Sequence, residues 1–267
     1  MNITKILSLP KDLSVAAKAR PSVRGQNIIA VASGKGGVGK TWLSISLAHA
    51  LAKKGQKVLL FDGDLGLANV DIQLGLVTDC DLGSVITGRV PLTQAMTRSA
   101  LGFDVIAGRS GSGSLANVPL SRLQLVLDDL QLLSTQYDKV IVDLGAGIEK
   151  SVRLFAQKAG TLFVVCSDEP TSLTDAYAFI KIISAENPNA NIQIIVNAVG
   201  SIKEGERTFD TLLKACEGFL KFSPRLGGIV RRDAHVRDVI RSQASILDAY
   251  PQSDAASDVL TISEKIK

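Results

Sequence analysis

The sequence predicts an α/β fold: a single domain built on a mostly parallel sheet with helices on both faces. Two observations predict it. Apolar runs recur along the chain with helix-like stretches between them: IIAVAS, KVLLFD, FDVIAG, KVIVDL, TLFVVC, IQIIVN and GGIV. They are apolar throughout rather than alternating, the pattern of parallel strands buried on both faces, whose ligands collect at the strands' carboxyl ends. The first run, NIIAVAS at 27–33, leads directly into the glycine-rich segment SGKGGVGKT, Ser33 to Thr41, and then into TWLSISLAHALAKKG at 41–55, which reads as an amphipathic helix. At 267 residues and 46% hydrophobic content the chain is long enough to bury a substantial core.

The glycine-rich segment satisfies G-x-x-x-x-G-K-[ST] in the strand–loop–helix setting that the motif requires, so the fold is expected to be a P-loop NTPase. Gly34, Gly36, Gly37 and Gly39, with Val38 among them, let the backbone wrap closely with its N–H groups turned inward. The helix N-terminus behind them favours an anionic phosphate. Lys40 is placed to reach the β- and γ-phosphates, and Thr41 offers a hydroxyl to Mg²⁺, which prefers hard oxygen ligands. Carboxylates stand where two further strands emerge. KVLLF is followed by Asp62-Gly63-Asp64-Leu65-Gly66, and KVIV by Asp143-Leu144-Gly145-Ala146-Gly147. From such positions an aspartate can hold Mg²⁺ waters or orient an attacking water, and a lone one can equally cap a turn. GRSGSGS at 108–114 reads as a flexible loop, and its GxGxxA, Gly111 to Ala116, as a weak match to a second nucleotide motif.

Composition narrows the classes. Cys80, Cys166 and Cys216 are odd in number and far apart, giving neither a disulfide framework nor a C-x-x-C site and pointing to a reducing cytoplasm. They also leave a metal-cluster carrier on this fold without its paired cysteines. Pro10, Lys11 and Asp12 interrupt the short apolar ILSL, so no signal peptide is expected, and no run approaches the ~18 residues of a membrane-spanning helix. The net charge of +4 sits in a basic arm over residues 1–26, where Lys5, Lys11, Lys18, Arg20 and Arg24 face only Asp12. The expected organisation is this arm, an ATPase domain over 27–253 and a helical tail over 254–267.

GKGGVGKT with Lys35, DGDLGLANVDIQLG at 62–75 and DLGAGI at 143–148 together resemble the deviant-Walker MinD/ParA ATPases. DEPTSLTDAYAFIKIIS at 168–184, EGERTFDTLLKACEGFL at 204–220 and the segment 226–256 resemble the flagellar number and placement branch of that family, called FlhG, FleN or YlxH. The resemblance covers roughly residues 27–257. It implies an ATPase using ATP/ADP and Mg²⁺ that forms a homodimer with ATP. Lys35 matches the signature lysine that reaches the partner's nucleotide and stabilises transition-state charge; Lys40 and Thr41 match the phosphate-loop lysine and Mg²⁺ ligand. Asp62 and Asp143 match carboxylates around Mg²⁺, acting through water, and Asp64 matches the residue that positions the hydrolytic water. Asn197 matches an adenine-reading amide.

Trp42 departs from the family pattern, where a small or polar residue is expected, and puts the floor of the nucleotide pocket in question. The branch implies further partners: an FlhF-type GTPase, a flagellar transcription regulator and flagellar switch-ring proteins. Residues 12–20, DLSVAAKAR, only loosely resemble the segment that activates such a GTPase. The expected location is cytoplasmic with weak peripheral contact at the inner face of the membrane, although the acidic residues of DAASDVLTISEKIK make that tail a poor lipid anchor. The alternative is a partition or positioning ATPase of the MinD/ParA type that binds nonspecific DNA or membrane. Arg231, Arg232, Arg237 and Arg241 are its basic candidates, but Asp233 and Asp238 interleave them, which argues against nucleic acid. His49 and His235 read as helical and unpaired, with no catalytic constellation.

Overall fold

A computed structural model of the chain describes residues 25–108 and 118–266. Strands β1 (Gly25–Ser33), β2 (Val58–Gly63), β3 (Met96–Arg98), β4 (Asp104–Ile106), β5 (Lys139–Ala146), β6 (Ala159–Cys166), β7 (Ile192–Val199) and β8 (Arg225–Arg231) form one sheet. Their order is β3-β4-β2-β5-β1-β6-β7-β8, parallel throughout except for β3 against β4. Each predicted apolar run overlaps a strand, although FDVIAG gives only Asp104 to Ile106 to β4. The short edge strand β3 escapes sequence pattern because Met-Thr-Arg offers neither an apolar run nor a full alternation; Arg98 closes it against Asp104 at 2.9 Å.

The two-residue period of β1 sends Ile28, Ala30 and Ala32 into one core and Ile29 and Val31 into another. The first core lies beneath α3 (Leu82–Ile86), α4 (Leu120–Ser134), α5 (Lys150–Lys158), α6 (Pro170–Glu186) and α7 (Ile202–Ala215). The second lies beneath α1 (Lys40–Lys53), α2 (Val70–Leu74), α8 (His235–Ser242), α9 (Ile246–Ala249) and α10 (Asp254–Lys265). β2 and β5 flank β1 on one side and β6 to β8 on the other, so the winding direction reverses at β1. In open α/β sheets the ligand crevice forms at that reversal, outside the carboxyl ends of the strands.

Two expectations are corrected by the packing. α1 is not amphipathic: Trp42 through Leu51 are all buried, because α9 and α10 cover the side turned away from the sheet. The histidines are not unpaired. His49 Nδ1 meets Ser245 Oγ at 2.5 Å, and burial pulls its pKa below the usual imidazole range; His235 Nδ1 meets Asp233 at 2.8 Å beside the Tyr250 ring. In α10, Val259 and Ile262 are core residues, with Ile262 lying against Gly228 of β8. These apolar groups, available to lipid on the sequence alone, are spent on the core. No helix of the described residues is long and apolar enough to cross a membrane. The arm's residues 1–24 and the GxGxxA run lie outside the described residues.

Candidate nucleotide site

The loop between β1 and α1 is shaped by two close approaches. Gly39 caps α1 with φ +92°, and a Cβ there would run into the Asn197 amide of β7. A Cβ on Gly34 would collide with the Asp175 carbonyl of α6. Only glycine fits both places. Asn197 is itself buried and donates from Nδ2 to the Val38 carbonyl at 2.7 Å, fixing the loop to the end of β7. One of the two amide N–H groups is engaged by the chain, so the side chain supports the loop, and the other N–H and the carbonyl oxygen are left for a ligand. Asn197→Ala is expected to weaken nucleotide binding about fivefold to tenfold, from the loss of one buried hydrogen bond to the loop, as titration calorimetry would show. Unchanged affinity would mean that the loop holds its shape without β7.

Lys40 is buried, and its Nζ donates to Ser33 Oγ at 2.9 Å, while Ser33 Oγ donates to the Lys35 carbonyl at 2.6 Å. Burial lowers the Lys40 pKa, and Asp143 and Asp64 oppose that shift. Lys35 stands apart from this cluster. Its Nζ pairs with Glu169 at 2.7 Å and donates to Thr171 Oγ1 at 3.0 Å, at the start of α6. The ion pair holds the Glu169 carboxyl below its usual range. Glu169 before Pro170 reads in sequence as a helix start, but its link to Lys35 spans 134 positions and leaves no local signal.

Asp62 and Asp143 lie side by side in register on β2 and β5, both buried. Burial first, and for Asp62 the neighbouring Asp143, raise their pKa values. The oxygens of Asp62 accept the N–H groups of Asp64, Asn69 and Val70 at 3.1, 3.2 and 3.1 Å, so its direct contacts belong to its own loop. Asp143 accepts from Ser44 Oγ at 3.0 Å and bonds the Thr41 side chain. Asp64 Oδ1 accepts from Gly66 and Leu67 at 3.0 and 2.9 Å; its Oδ2 accepts nothing among the described residues. Hard oxygens from Thr41, Asp143 and Asp62, with two carboxylates pressed together, are a donor set that suits a hard divalent cation such as Mg²⁺.

Two cavities meet across the loop. One of about 520 Å³ holds Lys40, Thr41, Asp64 and Gly145; the other, of about 460 Å³, holds Lys35, Asn197, Asp168 and Arg237. Gly36, Gly37, Gly39, Trp42 and Ile240 line both. Trp42 therefore stands between a phosphate side and a second compartment, buried with an indole N–H that has no partner among the described residues. The sequence-predicted nucleotide-site residues border these cavities except Gly34, Asp62 and Asp143.

A family profile described as the CobQ/CobB/MinD/ParA nucleotide binding domain matches residues 29–246. The chain belongs to the CobQ/CobB/MinD/ParA family. Within it, the chain is similar to "Antiactivator FleN" of Pseudomonas aeruginosa, at 35% identity over 93% of this chain and 89% of that protein. It is also similar to the "Flagellum site-determining protein YlxH" of Helicobacter pylori, at 36% identity over 71% of this chain and 64% of that protein. Among solved structures, MinD of Aquifex aeolicus superposes with a TM-score of 0.73 at 26% identity, covering 90% of this chain and 96% of that one. MinD of Pyrococcus horikoshii, complexed with Mg-ADP, shares the fold with a TM-score of 0.77 at 23% identity over 90% and 96% of the two chains.

Proposed function

We propose that the chain is a Mg²⁺-dependent ATPase switch of the MinD type that dimerises with ATP and regulates flagellar number or placement. The observation that carries this reading is the convergence of Lys40, Thr41 and the open oxygen of Asp64 on one cleft, in a chain similar to FleN over nearly its whole length. ATP lies with its phosphates on the inward N–H groups of Gly34 to Thr41 and its base in the compartment past Trp42, beside Asn197. Thr41 and Asp143, with Asp62 beside Asp143, would hold Mg²⁺, which would supply positive charge to the phosphates. Lys40 stabilises charge on the γ-phosphate, and Asp64 orients the attacking water through its unoccupied oxygen.

Lys35 is the residue that the switch must release. Held on Glu169 and Thr171, it faces away from its own phosphate cluster and serves the nucleotide of a second copy. Leu67, Ile72 and Ile148 stand 72%, 53% and 46% exposed on the loops and the short helix that follow β2 and β5, an apolar surface for that second copy to cover. Light scattering tests this. With Asp64→Ala slowing hydrolysis, the molar mass is expected to double with ATP and Mg²⁺ and to stay that of a monomer with ADP. A mass indifferent to nucleotide would sink the switch.

An FlhF-type GTPase, a flagellar transcription regulator and switch-ring proteins are the proposed partners, and the cytoplasmic face of the membrane is the proposed site of weak contact. An unchanged GTPase rate on adding the chain would remove the first of them. The DNA-binding alternative loses two of its cations to the fold: Arg231 is locked to Asp254 and Asp258, and Arg232 donates to the Ala198 carbonyl.

A further inference from the structure

A third cavity, of about 320 Å³, lies at the end of the sheet opposite the nucleotide cleft, where β5, β6, β7 and β8 begin. Lys139, Arg225 and Lys265 converge on it from β5, β8 and the last turn of α10. No aspartate or glutamate is among its described lining residues. Among the described residues, neither Arg225 nor Lys265 has a side-chain hydrogen bond or an ion pair. Other cations of the fold are paired, as with Arg231 on Asp254 and Asp258 and Lys53 on Asp248. Below the cations the cavity changes character. Ile29, Phe163 and Ile262 make an apolar floor, and the amides of Asn191 and Gln193 stand at the wall.

We propose that this cavity binds a phosphate monoester on a small organic body. A dianion answers Arg225 and Lys265, and the guanidinium fork of Arg225 matches phosphate oxygens in pairs. The amides and the apolar floor then take the body, which the volume limits to a few carbon atoms. Two sources share this chemistry: a free phosphorylated metabolite and a phospholipid headgroup.

The test uses the full chain saturated with Mg-ADP, so that the phosphate loop is filled, and glycerol 3-phosphate as the probe. Amide resonances of Gln193, Gly227 and Ile262 are expected to shift on titration while those of Gly36 to Gly39 stay in place. Arg225→Glu combined with Lys265→Glu should weaken the probe by about tenfold or more, through reversal of two nearby charges, with the melting temperature and ATPase rate unchanged. Arg225→Lys should restore part of the affinity. Sedimentation with phosphatidylglycerol vesicles, against phosphatidylcholine vesicles as control, separates the sources. Capture that the double variant loses assigns the headgroup, and probe binding without capture assigns a free metabolite. Shifts confined to the phosphate loop, affinity indifferent to both charge reversals, or neither probe binding nor capture would overturn the proposal.

Discussion

Asp64→Ala is expected to cut ATP turnover by about 10²–10⁴-fold while ATP stays bound, because it removes the group proposed to orient the attacking water and leaves the phosphate cradle intact. The geometry separates these two tasks. Asp64 uses Oδ1 to close its own turn over Gly66 and Leu67 and keeps Oδ2 free at the phosphate cavity. The cradle is built from the opposite side, by Gly34 to Thr41 and by Lys40 on Ser33. Binding is readable from within the chain, since Trp42 is its only tryptophan and lines both halves of the cleft. The fluorescence response of the variant to ATP should match the parent while phosphate release collapses. A variant that loses the fluorescence response would place Asp64 among the Mg²⁺ ligands instead.

The sheet was legible because burial on both faces leaves its mark in every residue of a strand such as β2, where all six positions are buried. The phosphate loop was legible because two glycines are forced by contacts with β7 and α6, and the motif records that demand. The helices were harder. α1 carries Lys40, Ser44, Ser46 and His49 among its buried residues, and in a one-dimensional pattern these read as a polar face. Lys40 and Ser44 are taken up by Ser33 of β1 and Asp143 of β5, and His49 by Ser245 beside α9, which arrives 196 positions later.

The site divides along the same line. Lys40, Thr41 and Asp64 line one cavity at the ends of the strands that precede them, so local sequence names them. The support around them is long-range: Asn197 on Val38 across 159 positions, Lys35 on Glu169 across 134, Ser44 on Asp143 across 99. The Asn197 contact adds a role, because an amide that donates one N–H to the loop keeps its second N–H and its oxygen for a ligand. Trp42 stands out in sequence as a departure without a meaning. In the structure it stands between two cavities, a position that appears only once β1, α1 and α8 are assembled around it.

Asp143→Asn is expected to stabilise the nucleotide-free protein and abolish Mg²⁺-dependent hydrolysis. Burial raises both carboxyls, Asp62 to about 8 with Asp143 adding to the shift and Asp143 to about 6, so the native state holds protons that the unfolded chain releases from the ordinary aspartate range upward. Stability of the nucleotide-free parent therefore falls as pH rises from about 4 through those values, and the loss is complete above the Asp62 value. Asparagine removes one of the two charges, while its carbonyl oxygen still accepts from Ser44. A gain of about 1 kcal/mol, roughly 2–4 °C in a chain of this size, follows, with a flatter stability-versus-pH curve. Bound Mg²⁺ answers the same repulsion in the parent, so Mg-ATP should stabilise the parent strongly and the variant weakly. Thermal melts at pH 5 and pH 8, with and without Mg-ATP, decide the matter. A variant that melts lower than the parent at both pH values would mean that Lys40 and the hydroxyls of Thr41 and Ser44 already balance Asp143, leaving no electrostatic strain for the cation to relieve.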